Sequence, residues 1–161
     1  MDKNAISPAD HIKTLIEFYK DNVAYQRHHE EIRFKGSQLI IALAAALIAT
    51  LKFTNGSATN YANATFVVLL GCLGVAQVLK HTERADRHAS IARAYRKSIS
   101  DLSSASFGKS VEDIHDIAAH DHKRKAGRVY RLRARWFWLS MHIAIIGIGL
   151  MIAILQCAGK L

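Results

Sequence analysis

Trp136-Phe137-Trp138-Leu139-Ser140-Met141-His142-Ile143-Ala144-Ile145-Ile146-Gly147-Ile148-Gly149-Leu150-Met151-Ile152-Ala153-Ile154-Leu155-Gln156-Cys157 is a run of 22 residues without a formal charge. Its polar side chains are Ser140, His142 and Gln156. A helix needs about 20 mostly apolar residues to cross a bilayer core of about 30 Å. The run is therefore long enough to span with some tilt. Trp136 and Trp138 stand at its start, where interfacial aromatic residues gather. This stretch decides the class: the chain reads as an all-α membrane protein.

Two further apolar windows lie upstream. Residues 37–53 and 64–79 carry one formal charge between them, Lys52. Both are short for a bilayer. Lys35 and Lys52 can snorkel to opposite surfaces around the first, and Tyr61 and Lys80 flank the second as anchors. Three spans are expected, at about 37–53, 61–79 and 136–157. A soluble alternative would bury residues 37–79 as a helical hairpin. Such helices keep a polar face, and residues 39–49 have none. The first apolar run starts too deep in the chain, behind a segment of mixed charge, to be a secretory signal. With 161 residues, half of them apolar, the chain is neither disordered nor long enough to imply several domains.

Charge gives the orientation. Residues 1–36 hold six basic and six acidic side chains, residues 80–135 hold 14 and seven, and residues 54–63 hold none. Lys and Arg near the spans stay on the cytoplasmic side. The N-terminus and the 81–135 region are therefore expected in the cytoplasm, and the 54–63 loop and C-terminus outside. The organisation reads as an amphipathic cytoplasmic helix (1–36), a membrane hairpin (37–80), a basic cytoplasmic helical region (81–135), and a third span with a short external tail (136–161), placed in a cell inner membrane. Lys123, Arg124, Lys125, Arg128, Arg131, Arg133 and Arg135 form the densest basic cluster. Their position beside a span favours anionic lipid head groups over nucleic acid. Asn55-Gly56-Ser57 and Asn63-Ala64-Thr65 match the glycosylation sequon, which matters only in a eukaryotic secretory pathway.

Ser7-Pro8-Ala9-Asp10 reads as a helix start. Ile12, Leu15, Ile16, Tyr19 and Val23 then recur at helical spacing. A helix is expected over about 8–34, hinged at Gly36 to the first span. After the second span the helix is expected to continue to about residue 102, with His88, Ile91, Tyr95 and Leu102 on one face. Arg84, Arg87, Arg93, Arg96 and Lys97 lie opposite. Ser103 to Lys109 reads as a turn, and Ser110-Val111-Glu112-Asp113 as another helix start. The extramembrane helices form a small collar, too little for a catalytic domain of typical size.

No catalytic constellation is visible. The nine Gly never form a phosphate loop or dinucleotide fingerprint. Cys72 and Cys157 sit in spans and read as small apolar residues. His28, His29, Glu30 and Glu31, and His115, Asp116, His120, Asp121 and His122, resemble metal ligands in type but lack a metal-site spacing. Solvated helix faces explain them. The chain reads as no enzyme, with no cofactor. The intramembrane polar residues Gln38, Gln77, Ser140, His142 and Gln156 are candidates for a packing seam or a pore lining. Gly71, Gly74 and Ala44-Ala45-Ala46 permit close helix approach. With Gln77 they are expected to support a homo-oligomer, of four or more copies if it conducts.

The segment Phe18-Tyr19-Lys20, then Tyr25-Gln26-Arg27-His28-His29-Glu30-Glu31-Ile32-Arg33, leads directly into a span. The second span is followed by Lys80-His81-Thr82-Glu83-Arg84, Arg87-His88 and Ala92-Arg93-Ala94-Tyr95-Arg96. Over roughly residues 10–100 this layout resembles small bacterial membrane effectors of the SLATT type. The resemblance implies a membrane hairpin that forms pores and arrests or kills an infected cell, with an upstream nucleotide-signalling or sensor protein as partner. Many such proteins have two spans, and the third span here departs from that pattern. The competing expectation is a non-conducting scaffold within a larger membrane complex.

Overall fold

The computed structural model describes residues 8–51, 57–107, 116 and 134–158. Among these residues there are three long helices: α1 (Pro8–Thr50), α2 (Ser57–Phe107) and α3 (Ala134–Cys157). No strand occurs among the described residues. Each helix is long and apolar enough to cross a membrane. At a rise of about 1.5 Å per residue, the 24 residues of α3 reach about 36 Å.

Three local expectations change. Gly36 is no hinge, because α1 runs unbroken for 43 residues. A Cβ at Gly36 would collide with the side-chain amide of Gln77, so the glycine serves close packing. The 57–63 part of the expected loop is helical, since α2 starts at Ser57. No Gly or Pro interrupts residues 57–63, and the Asn63 amide donates to Thr50 Oγ1 at 3.0 Å, tying the first turns of α2 to the last of α1. Finally, α2 passes the expected turn at Ser103 and reaches Phe107. The Ser103 hydroxyl donates to the Ser100 carbonyl at 3.2 Å, a back-bond that lets serine sit inside a helix. Within 108–133 only Asp116 is described, helical and exposed.

The described residues form two compact units. The first takes residues 8–29 of α1 and 83–107 of α2. Its α1 residues Ile12, Leu15, Ile16, Tyr19 and Val23 are half-buried, as the helical spacing predicts. From α2 the buried residues are small: Ala85, Ala92 and Ser100. Phe18 stacks on Tyr95 with ring centroids 5.6 Å apart. Arg96, expected on the far face, is half-buried beside Tyr19.

The second unit takes residues 30–51, 57–82 and α3. Cross-contacts fix its topology. Arg33 Nη1 donates to Thr82 Oγ1 at 3.0 Å and Asn63 meets Thr50, so α1 and α2 are antiparallel. Phe34 packs edge-on against Trp138, while the Tyr61 hydroxyl donates to Cys157 Sγ at 3.3 Å. α3 therefore runs parallel to α1. Ala44, Val67 and Ile145 form the core, with Ile41, Leu47, Ile48 and Leu70 around them.

Only 17%, 28% and 22% of the apolar windows of α1, α2 and α3 are buried. Leu39, Phe66, Leu73 and Ile154 are among the large side chains left outside. In water such a surface would be an association patch; in a bilayer it is the surface that meets acyl chains.

Candidate functional site

Three polar residues of the second unit, Ser37, Gln77 and His142, gather where the helices touch toward the end that carries Trp138. Each helix presents its contact face by alternating steps of three and four residues. On α3 the buried positions are His142, Ile145, Gly149, Ile152 and Gln156. On α2 they are Asn60, Ala64, Val67, Gly71, Gly74, Val78 and Thr82. On α1 they are Ser37, Ile40 and Ala44. This near-3.5 period keeps one seam facing the neighbours along a helix pair.

His142 lies at the centre and is wholly buried. Its Nε2 is 3.0 Å from Ser37 Oγ, also wholly buried. Its Nδ1 has no partner among the described residues. The ring occupies the space that a side chain on Gly74 would need, for a Cβ there would collide with Nδ1, Cε1 and Cγ of the imidazole. One turn away, a Cβ on Gly71 would stand 2.5 Å from Ile146 Cγ1, 3.0 Å from Ile146 N and 3.1 Å from the His142 carbonyl. Two of those three atoms are backbone and cannot swing aside. Gly149 repeats the arrangement from α3, within 3.1 Å of Ala64 O and Val68 N. Gln77 Nε2 donates to the Ile32 carbonyl at 3.2 Å, lying over α1 where Gly36 leaves room.

This assembly has physical reasons. Between helices in lipid there is no hydrophobic drive, so small residues and interhelical hydrogen bonds must hold the packing. A polar group in hydrocarbon costs several kcal/mol unless partnered (roughly 2–7). Ser37, Gln77 and His142 turn inward, the arrangement that a hydrocarbon surrounding would demand. The Ser37–His142 pair has no further partner among the described residues and no exposed atom by which a substrate would reach it. Its chemistry is positional: one hydrogen bond between α1 and α3, clamped over α2.

The remaining sequence candidates separate. Gln38 is exposed and belongs to no seam. Ser140 is exposed, its hydroxyl donating to the Phe137 carbonyl at 2.8 Å. Gln156 is buried at the opposite end, with neither amide atom partnered among the described residues. It lies four turns from His142, about 21 Å along α3. Gly71 and Gly74, expected between copies of the chain, face α3 of their own chain. Ala44 is likewise buried, whereas Ala45 and Ala46 are exposed. Of the basic cluster, Arg135 sits over the Trp136 ring at 5.3 Å. Lys123, Arg124, Lys125, Arg128, Arg131 and Arg133 lie outside the described residues, as do His115, His120 and His122. Sequence reasoning missed Ser37 as a partner. Its signal was its place one seam step before Ile40 and Ala44.

The two ends of this unit differ in kind. Arg33, Lys35, Lys80 and Arg135 accompany Phe34, Trp136 and Trp138 at one end. At the other, residues 57–65 and 153–158 supply Asn60, Tyr61, Asn63, Gln156 and Cys157 and no charged side chain. No protein-family model matches the chain, and neither a curated protein nor a solved structure is significantly similar to it.

Proposed function

We propose that this chain is a multi-pass inner-membrane protein, cytoplasmic at its N-terminus and external at its C-terminus. We further propose that it acts as a homo-oligomeric, pore-forming or membrane-perturbing effector in bacterial antiphage defence. The observation that carries this reading is the continuity of α1 and α2. Each is a single helix joining a charged extension to an apolar span. An event on the extension thus has a hydrogen-bonded path into the hairpin, as an effector requires. The basic and aromatic end of the second unit supports the orientation, and anionic head groups are its fitting neighbours. The layout shared with the SLATT type supports the biological role and an upstream sensor.

Among the described residues one chain offers no aqueous path, since Ser37, Gln77 and His142 are spent inside the seam. A conducting path therefore lies between copies, with exposed Gln38 and Ser140 as polar lining. The same inward-turned groups favour a second reading, a non-conducting scaffold. Purified protein in anionic liposomes separates the two. Release of a small trapped dye, together with an oligomer by light scattering in mild detergent, is expected. Tight liposomes and a monomer would remove the pore reading.

Orientation has its own test in the native cysteines. Cys157 is exposed beside Tyr61 and is expected to react with a membrane-impermeant maleimide added outside intact cells. A cysteine placed at exposed Ser98 is expected to react only after permeabilisation. The reverse pattern would invert the topology.

A further inference from the structure

The first unit holds a histidine cluster that the proposed function does not use. His29 of α1 stacks on His88 of α2 with centroids 5.6 Å apart and planes 22° from parallel. Tyr25 stacks on the same His88 at 5.2 Å. His28 stands beside His29 at 5.8 Å. His88 Nδ1 lies 3.0 Å from Asn22 Oδ1. Since that oxygen only accepts, Nδ1 is the donor in this contact.

We propose that this cluster is a proton-operated release between α1 and α2 of the first unit: a neutral His29 ring stacks on His88 and holds the helices together, and a protonated one is repelled and parts them. A proton on His29 is disfavoured by its surroundings. The ring faces His88 and Arg84 from α2 and His28 from its own helix, each of which opposes a positive charge there. The neighbouring Glu31 is engaged with Lys35 at 2.7 Å. Partial burial, then His88, Arg84 and His28, hold the His29 imidazole below its ordinary value of 6.5. The sign follows. A lowered value in the packed state means that the separated state binds more protons. The contact is therefore fully present above about pH 6.5 and is lost as pH falls through the value of packed His29.

The test uses the full chain in anionic nanodiscs, with Cys72→Ala and Cys157→Ser. Spin labels are placed on Ala24→Cys and Ser90→Cys, both exposed positions of the first unit. Between pH 7.5 and 5.5 the label separation is expected to lengthen by about 5 Å or more, half the usual interaxial distance of packed helices. Helix content by circular dichroism is expected to stay constant. His29→Gln is expected to abolish the change. Arg84→Gln is expected to move its midpoint downward by about 0.3–0.5 pH unit, because with one like charge gone the packed ring accepts a proton more readily and acid drives the opening less strongly. An unchanged distance at pH 5.5, a change that survives His29→Gln, a midpoint that Arg84→Gln leaves or raises, or loss of helix content in acid would each overturn the proposal. None of these readings depends on conductance, so a failed pore reading and a failed switch are distinguishable.

Discussion

Gly71→Leu is expected to destabilise the three-helix packing by about 3 kcal/mol or more, whereas Gly147→Leu leaves it within about 0.5 kcal/mol. The two glycines are similar in sequence surroundings and opposite in space. At Gly71 a new Cβ meets the Ile146 backbone nitrogen and the His142 carbonyl, so α2 and α3 must move apart along their whole contact. At Gly147 a new Cβ meets nothing within 4 Å, and leucine there simply joins the exposed apolar surface. The measurement is the midpoint of unfolding in mixed detergent as the sodium dodecyl sulfate fraction rises. Equal midpoints for the two variants would show that α2 and α3 do not approach through Gly71.

The second large effect is a reversal by pairing. Gly74→Val alone drives a side chain into the imidazole of His142. His142→Ala alone leaves a void and strands the buried Ser37 hydroxyl. Each single change is expected to cost about 2–4 kcal/mol by overpacking or cavity formation. Together, the valine occupies part of the vacated ring volume. The double variant is expected to be more stable than the sum of the singles by at least about 1.5 kcal/mol, a coupling typical of residues in direct contact. Only the hydrogen bond to Ser37 stays lost, worth about 0.6 kcal/mol on average between membrane helices. Additive costs in the same unfolding assay would mean that the ring does not lie on Gly74.

The sequence made the three apolar helices legible because lipid-length runs are long and uninterrupted. The third came within two residues of α3, from Ala134 to Cys157. The inner faces were harder to read. In a soluble helix the buried side is apolar and the outer side polar, so periodicity marks the core. Here Leu39, Leu73 and Ile154 outside are as apolar as Ile40, Val78 and Ile152 inside. What distinguishes the inside is size and occasional polarity: Gly71, Gly74, Ala64, Ser37. The polar candidates could be named from sequence for that reason, but not sorted. Gln38 and Ser37 are adjacent, and a rotation of about 100° puts one in the seam and the other outside. Gly36 misled in the same way. A glycine between a charged and an apolar segment reads as a joint, and only the amide of Gln77 lying across it reveals a packing contact.

Within the second unit the buried stripe of α2 runs through Asn60, Ala64, Val67, Gly71, Gly74, Val78 and Thr82 at steps of three or four. The helix keeps one phase there for about six turns. Inserting one residue near Gly71 would swing one half of that stripe by about 100° against the other, taking it off the helices it packs on. Seven residues would restore the phase almost completely. Within this unit α2 is therefore expected to tolerate point changes outside the stripe better than changes of length, with insertions of a whole heptad the least disruptive.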